Sequence, residues 1–186
     1  MIASLRIFDI FLSMVGLLLA LPVMLLILML SMVETGRPIF LQERVGRNKD
    51  SFILLKFRTM APNTPSLATH LTSSHAITPL GRFLRRAKLD ELPQLCNVLK
   101  GEMSLVGPRP GLPNQPELTE AREKLGVFEV RPGITGLAQI NGIDMSTPEL
   151  LAQTDARMIA EMSVRNYFKY IFLTVLGKGS GDRVKS

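Results

Sequence analysis

Two adjacent carboxylates stand in Lys88-Leu89-Asp90-Glu91-Leu92-Pro93-Gln94-Leu95. Arg82, Arg85 and Arg86 precede them, and Arg109 follows in Gly107-Pro108-Arg109-Pro110-Gly111. A carboxylate dyad with arginines close by in sequence suits a phosphorylated substrate and a metal ion. The arginine fork matches phosphate oxygens two at a time, and two flanking prolines limit how far Arg109 can wander. A carboxylate can hold Mg2+, which takes one or two carboxylates plus substrate phosphates. It can also attack phosphorus itself. Structural readings stand beside these. Aspartate is among the best helix N-caps, and Arg109 could be a solvated residue on a rigid turn.

These residues need elements to position them. Apolar Leu92, Leu95 and Leu99, with Cys96 and Val98 between, predict a helix that opens at the dyad and closes at Gly101. Pro93 fits its first turn. Neighbouring side chains on a helix diverge by about 100°, so Asp90 and Glu91 reach one metal only at an irregular helix end. Otherwise Glu91 orients Asp90 or the acceptor. Residues 79–88 read as a short basic helix with Leu80, Phe83 and Leu84 on one side. Pro38–Gln42 and Phe52–Arg58 read as strands of a hairpin turning at Gly46-Arg47-Asn48-Lys49-Asp50.

Residues 61–78, rich in Pro, Thr and Ser, read as a loop. Pro116–Leu125 reads as a charged helix and Arg131–Gly142 as a glycine-rich turn segment. Ser146-Thr147-Pro148-Glu149 reads as a capping box opening a helix to about Met162. Tyr167–Leu176 is either an interfacial amphipathic helix with aromatic and basic anchors or a core helix. The tail from Gly177 is polar. The class is α+β, mostly helical.

No charge occurs among the 24 residues from Ile10 to Val33. At about 1.5 Å per residue this run is long enough for a bilayer core about 30 Å thick. It is too long for a cleaved signal peptide and lacks a small-residue cleavage site. Pro22, near its middle, predicts a helix break or kink. The segment therefore either spans or turns at Pro22 and leaves on the side it entered. Arg6 and Asp9, at i and i+3, either pair with each other or anchor to headgroups. Arg37, Arg44, Arg47 and Lys49 follow the segment, which places the remainder in the cytoplasm by the positive-inside rule.

The 186 residues suffice for one core. The net charge of +6 and pI near 9.8 suit an anionic membrane or an anionic substrate. Nucleic acid is disfavoured, because aromatic residues are few and do not interleave with basic ones. The single cysteine, Cys96, permits no internal disulfide and fits a buried structural thiol in a reducing compartment. His70 and His75 lack zinc-ligand spacing.

Five segments in order resemble the bacterial sugar transferase family, the monotopic phosphoglycosyl transferases. They are Lys56-Phe57-Arg58-Thr59-Met60, Thr78-Pro79-Leu80-Gly81-Arg82-Phe83-Leu84-Arg85, Leu89 to Leu95, Val106-Gly107-Pro108-Arg109-Pro110 and Arg131-Pro132-Gly133-Ile134-Thr135-Gly136. The resemblance covers roughly residues 1–142 and is of the minimal, catalytic-core type. It implies transfer of a sugar phosphate from a UDP-sugar to undecaprenyl phosphate, with release of UMP and with Mg2+ as cofactor. It implies a two-step route in which Asp90 attacks the β-phosphate. Asp90 and Glu91 would be catalytic and would hold the metal. Lys56, Arg58, Arg85, Arg109 and Arg131 would bind phosphate or nucleotide, with Arg131 alternatively holding the fold.

The family pattern also implies a re-entrant membrane helix over residues 1–36, broken at Pro22. Residues 37–186 would form a cytosolic domain with interfacial helices on the inner membrane of a bacterium. The family's Ser-Pro pair at the break is Leu21-Pro22 here, which removes a hydroxyl that could satisfy a freed carbonyl. The C-terminal Tyr167-to-Asp182 stretch is similar to members acting on N-acetylated amino-deoxy sugars. Two other readings stand beside this one. A basic membrane-anchored protein could bind anionic lipid or a partner without catalysis. A direct glycosyltransferase would want an Asp-x-Asp or Gly-x-Gly-x-x-Gly motif, and neither occurs. The apolar segment leaves room for a homodimer, and nothing in its pattern requires one.

Overall fold

The computed structural model describes residues 2–62, 64 and 76–179. Helix α1 runs from Ile2 to Thr35 with Pro22 inside it. Helical structure continues through Pro22, so of the break or kink expected there the break does not occur. One missing amide hydrogen bond is carried by the intact bonds of the turns on either side. Residues that are not exposed recur at Leu5, Asp9, Leu12, Ser13, Gly16, Ala20, Met24, Ile27, Ser31 and Thr35. This spacing of three to four is one helix face. The opposite face leaves Ile7, Phe11, Leu18, Leu19, Leu25 and Val33 exposed.

Strands β1 (Ile39–Val45) and β2 (Ser51–Phe57) form an antiparallel hairpin with Ile39 opposite Phe57 and Val45 opposite Ser51. The hairpin expectation holds. Its inner face carries Phe52, Leu54 and Lys56 from β2, with Gln42 and Arg44 from β1. Residues 61–78 lie largely outside the described residues, as do His70, His75 and the tail beyond Gly179.

Helix α2 (Pro79–Arg86) is capped by Thr78, whose hydroxyl accepts from the Gly81 amide at 2.9 Å. Helix α3 (Gln94–Lys100) ends at Gly101, left-handed at φ 90° as the sequence predicts. Strands β3 (Ser104–Val106) and β4 (Gly133–Thr135) pair in parallel. The sequence reading placed only turns in the latter segment. Helices α4 (Pro116–Lys124), α5 (Leu137–Ile140), α6 (Pro148–Ala160) and α7 (Val164–Val175) complete the fold.

The expected capping box is absent at α6. Thr147 is the N-cap residue and makes no side-chain cap bond, and the Ser146 hydroxyl donates to Asp144 Oδ1 at 2.6 Å instead. A local turn has won the serine that a cap would have used.

Apolar packing fastens α1 at both ends. Leu5 packs with Val106, Met158, Tyr167 and Tyr170. Ile27 packs with Phe57 and Leu84. Between them, Gly16 sits against Leu95 of α3. Polar bonds reinforce the first end. Asp9 Oδ1 accepts from Ser104 Oγ, the Leu105 amide and Tyr167 Oη at 2.8–2.9 Å. Arg6 stands 3.8 Å from Asp9 and turns its guanidinium onto the carbonyls of Val98, Leu99 and Met103. A cation there complements the C-terminal dipole of α3. Arg6 and Asp9 are thus fasteners between elements, rather than chiefly a pair with each other.

Helix α7 has two faces. Tyr167 and Tyr170 are buried, while Phe168, Phe172, Val175 and Leu176 are exposed. One face therefore belongs to the core and the other presents apolar surface outward.

Candidate active site

The dyad occupies a 3-10 turn, Leu89–Glu91, between α2 and α3. Lys88 precedes it in the left-handed conformation at φ 56°. The N-cap positions are Lys88 for this turn and Pro93 for α3, so Asp90 occupies neither. The backbone here is irregular, the condition under which two neighbouring carboxylates can reach one metal. Asp90 is 6% exposed, so it is held within the protein rather than waving in solvent.

Glu91 gathers two cations on one oxygen. Its Oε1 accepts from Lys56 Nζ at 3.1 Å and from Arg109 Nη2 at 3.0 Å. All three side chains are largely sheltered, with 13% of Glu91, 8% of Lys56 and 20% of Arg109 exposed. Ion pairs in such shelter bind more strongly than at a free surface, and each charge depends on its partner.

Three segments far apart in sequence build this clamp. Lys56 comes from the inner face of β2. Asn97 holds α3 to that strand, donating to Ile53 O at 2.7 Å and accepting from the Leu55 amide at 3.0 Å. Arg109 comes from a loop pinned on two sides. Arg44 Nη1 donates to Pro110 O at 2.9 Å, and the Val45 amide donates to Gly111 O at 3.0 Å. The Gly133 amide donates to Pro108 O and the Gly107 amide to Thr135 O, both at 2.8 Å. A Cβ on Gly133 would stand 2.0 Å from the Gly107 amide nitrogen, so only glycine allows this approach. Likewise, Gly81 lies on the backbone of Thr59, where a Cβ would come within 2.1 Å of the carbonyl oxygen. The motif glycines are there to bring the motif segments into contact.

The other predicted residues fall in different places. Arg85 lies half-buried on α2, three residues before Lys88. Arg58 donates to Arg37 O at 2.8 Å and Ile39 O at 3.4 Å, and stacks 5.4 Å from the Phe40 ring centroid. It clasps the base of the hairpin to the end of α1. Burial, then Arg37, lower its pKa. Arg131 donates from Nε to Gly101 O at 2.7 Å, at the end of α3 away from the dyad. Burial, then Arg6 and Arg47, lower its pKa too. The structure therefore joins Lys56, Glu91 and Arg109, and gives Arg58 and Arg131 fold-holding bonds.

Sequence reasoning missed Arg44 and Asn97, which position the clamp without entering it. Their signal was faint: an arginine at an inward strand position and an asparagine on an apolar helix face. Among the described residues, no group of three His, Cys, Asp or Glu side chains could hold a metal by itself. The donors that suit Mg2+ are the carboxylates of Asp90 and Glu91, with phosphate oxygens of a substrate completing the shell.

A long apolar helix thus packs on a small α+β unit in which Glu91, next to the sheltered Asp90, is held by a lysine and an arginine. The chain belongs to the bacterial sugar transferase family, whose model matches residues 2–178. It is 41% identical over 144 residues to the uncharacterized sugar transferase EpsL of Bacillus subtilis, covering 76% of this chain and 70% of that one. It is 40% identical over 149 residues to the UDP-glucose:undecaprenyl-phosphate glucose-1-phosphate transferase of Caulobacter vibrioides, covering 75% and 56%. The exopolysaccharide production protein ExoY of Rhizobium meliloti is 35% identical over 199 residues, covering 94% and 87%. The chain thus spans most of ExoY and little more than half of the Caulobacter transferase.

Proposed function

We propose that this protein moves a sugar 1-phosphate from a UDP-sugar to undecaprenyl phosphate and releases UMP. The observation that carries the proposal is the Glu91 clamp on Lys56 and Arg109 beside the sheltered Asp90, in a chain related to a protein named for that reaction. In the first step an oxygen of Asp90 attacks the sugar-proximal phosphorus. A bond forms between that oxygen and phosphorus, the phosphorus–oxygen bond of the diphosphate breaks, and UMP leaves with the electron pair. In the second step a phosphate oxygen of undecaprenyl phosphate attacks the same phosphorus and frees Asp90. Arg109 and Lys56 would meet the negative charge that spreads over the phosphoryl oxygens, and fixed cations there lower the barrier. Glu91 keeps both cations in place before substrate arrives. Bound Mg2+ would neutralise diphosphate charge, held by the Asp90 and Glu91 carboxylates.

The membrane topology belongs to the same proposal. Asp9 and Glu34 are about 38 Å apart along an ideal helix, more than the roughly 30 Å bilayer core. Both touch the same folded unit, Asp9 through Ser104 and Tyr167, and Glu34 by accepting from the Leu80 amide at 3.2 Å. A spanning helix would put those contacts on opposite sides of the bilayer. The reading favoured is a helix embedded from one side, with its apolar outer face in lipid and the folded unit in the cytoplasm.

The test is UMP release by detergent-solubilised protein with Mg2+, undecaprenyl phosphate and a panel of UDP-sugars, including N-acetylated amino-deoxy sugars. The expected result is UMP from wild type with one preferred donor and none from Asp90→Asn. UDP in place of UMP would mark a direct glycosyltransferase. Absence of any nucleotide across the panel would return the site to the non-catalytic, anion-binding reading.

A further inference from the structure

Lys88 is the residue of this site that no motif explains. It terminates α2 in the left-handed conformation, where glycine is at ease and a lysine is strained. Strain that persists beside a reactive group is a pointer to a role. Its side chain reaches 90 residues along the chain: Nζ donates to the carbonyl of Lys178 at 2.8 Å. Its ammonium also interacts electrostatically with Glu91 and Arg109.

Lys178 lies just beyond α7, in a segment fixed by its own contacts. The Lys178 amide donates to Leu173 O at 2.9 Å. Gly179, at φ 84°, lies against Gln139, where a Cβ would come within 2.7 Å of the carbonyl oxygen. The dyad turn, in contrast, is weakly bonded within itself. Its two amide bonds, Glu91 to Lys88 O and Leu92 to Leu89 O, are 3.4 and 3.3 Å long. The Glu91 clamp holds this turn at one end, and the Lys88 bond ties it from outside at the other.

We propose that Lys88 is a positioning residue that ties the dyad turn to the segment following α7, so that the seating of α7 sets the placement of Asp90. The apolar outer face of α7, with Phe168, Phe172, Val175 and Leu176, gives that seating a contact with the lipid surface. The proposal rests on the reading of Asp90 as the reacting group.

Three variants of the full chain test it. Lys88→Gly relaxes the backbone and removes the amine. It is expected to raise the Tm while kcat for UMP release falls about tenfold. A residue that merely shaped the turn would leave kcat unchanged or higher. Lys88→Met removes the amine alone and is expected to lower kcat similarly. Gly179→Val pushes the Lys178 carbonyl away and is expected to lower kcat alone but not further when combined with Lys88→Met. Hydrogen exchange of the amides of residues 89–92, expected to quicken equally in Lys88→Met and Gly179→Val, reads the tie without turnover. It keeps a failure of the tie distinct from a failure of the transferase reading. Wild-type kcat in either Lys88 variant, fully multiplying effects in the double variant, or unchanged exchange would each overturn the proposal.

Discussion

Glu91 carries the electrostatic balance of the site on one oxygen. Lys56 and Arg109 both pair with it, and both are sheltered. Removing the carboxylate takes an anionic partner from two sheltered cations at once. Glu91→Ala is therefore expected to lower stability by about 3 kcal/mol, read from the urea midpoint in detergent. Glu91→Gln keeps the shape and one acceptor, and its loss should be smaller. Equal, negligible shifts for both would show that the clamp does not stabilise the fold. Asp90 differs. It stands at neither N-cap position, so the roughly 1 kcal/mol cost of cap loss that the sequence alone suggests is not expected of Asp90→Ala. The dyad itself was legible because two carboxylates and a proline-flanked arginine are rare in combination. Arg44 and Asn97 were not legible, because their role is set by partners more than 40 residues away.

At the scale of elements, close backbone contact decides which pieces meet. Gly133 and Gly107 let β3 and β4 pair and bring Pro108 and Arg109 to the dyad. Gly133→Ala is expected to lower the apparent Tm strongly, since a side chain must displace backbone. A Tm within 2 °C of wild type, roughly the scale of a small perturbation, would contradict the contact. The parallel pairing of β3 with β4 was invisible in sequence because each strand is three residues long and carries no period.

Helices were read better. The helix ending at Gly101 and the hairpin were anticipated from apolar spacing and turn residues. The capping box at residue 146 was not realised, because Asp144 competes for the same hydroxyl.

Tyr167 fastens α7 to α1 through Asp9, and this bond makes a pH prediction. Burial first, then the Asp9 carboxylate, hold the phenol well above its ordinary pKa. Unfolding frees it to ionise above about pH 10. The stability it contributes is therefore whole below that pH and is lost as pH rises further. Tyr167→Phe should be less stable near neutrality, having lost a bond to a charged group, and its stability should fall less steeply between pH 9.5 and 11, near the free tyrosine pKa. Parallel curves for the two proteins would remove Tyr167 from the fastening.

Across the whole molecule, one helix face carries the argument. Leu5, Asp9, Ile27 and Ser31 of α1 are buried on a single folded unit, while the outer face is apolar and exposed. Sequence supplied the apolar run but could not separate spanning from one-sided embedding, since hydropathy does not record which face packs. The contacts do. A tag fused ahead of Met1 and a cysteine placed at Arg37, in a Cys96→Ser background, are expected to be labelled from the cytoplasmic side only. Labelling of the two from opposite sides would restore a spanning helix.

The proposed two-step route requires Asp90 to become bonded to the sugar phosphate. The most direct measurement is the intact mass of the protein mixed with its preferred UDP-sugar and Mg2+, with undecaprenyl phosphate left out. The prediction is a mass increase equal to one sugar phosphate on wild type, a matching burst of UMP, and neither on Asp90→Asn. Turnover by Asp90→Asn, or wild-type release of UMP only when the acceptor is present and with no adduct, would contradict it.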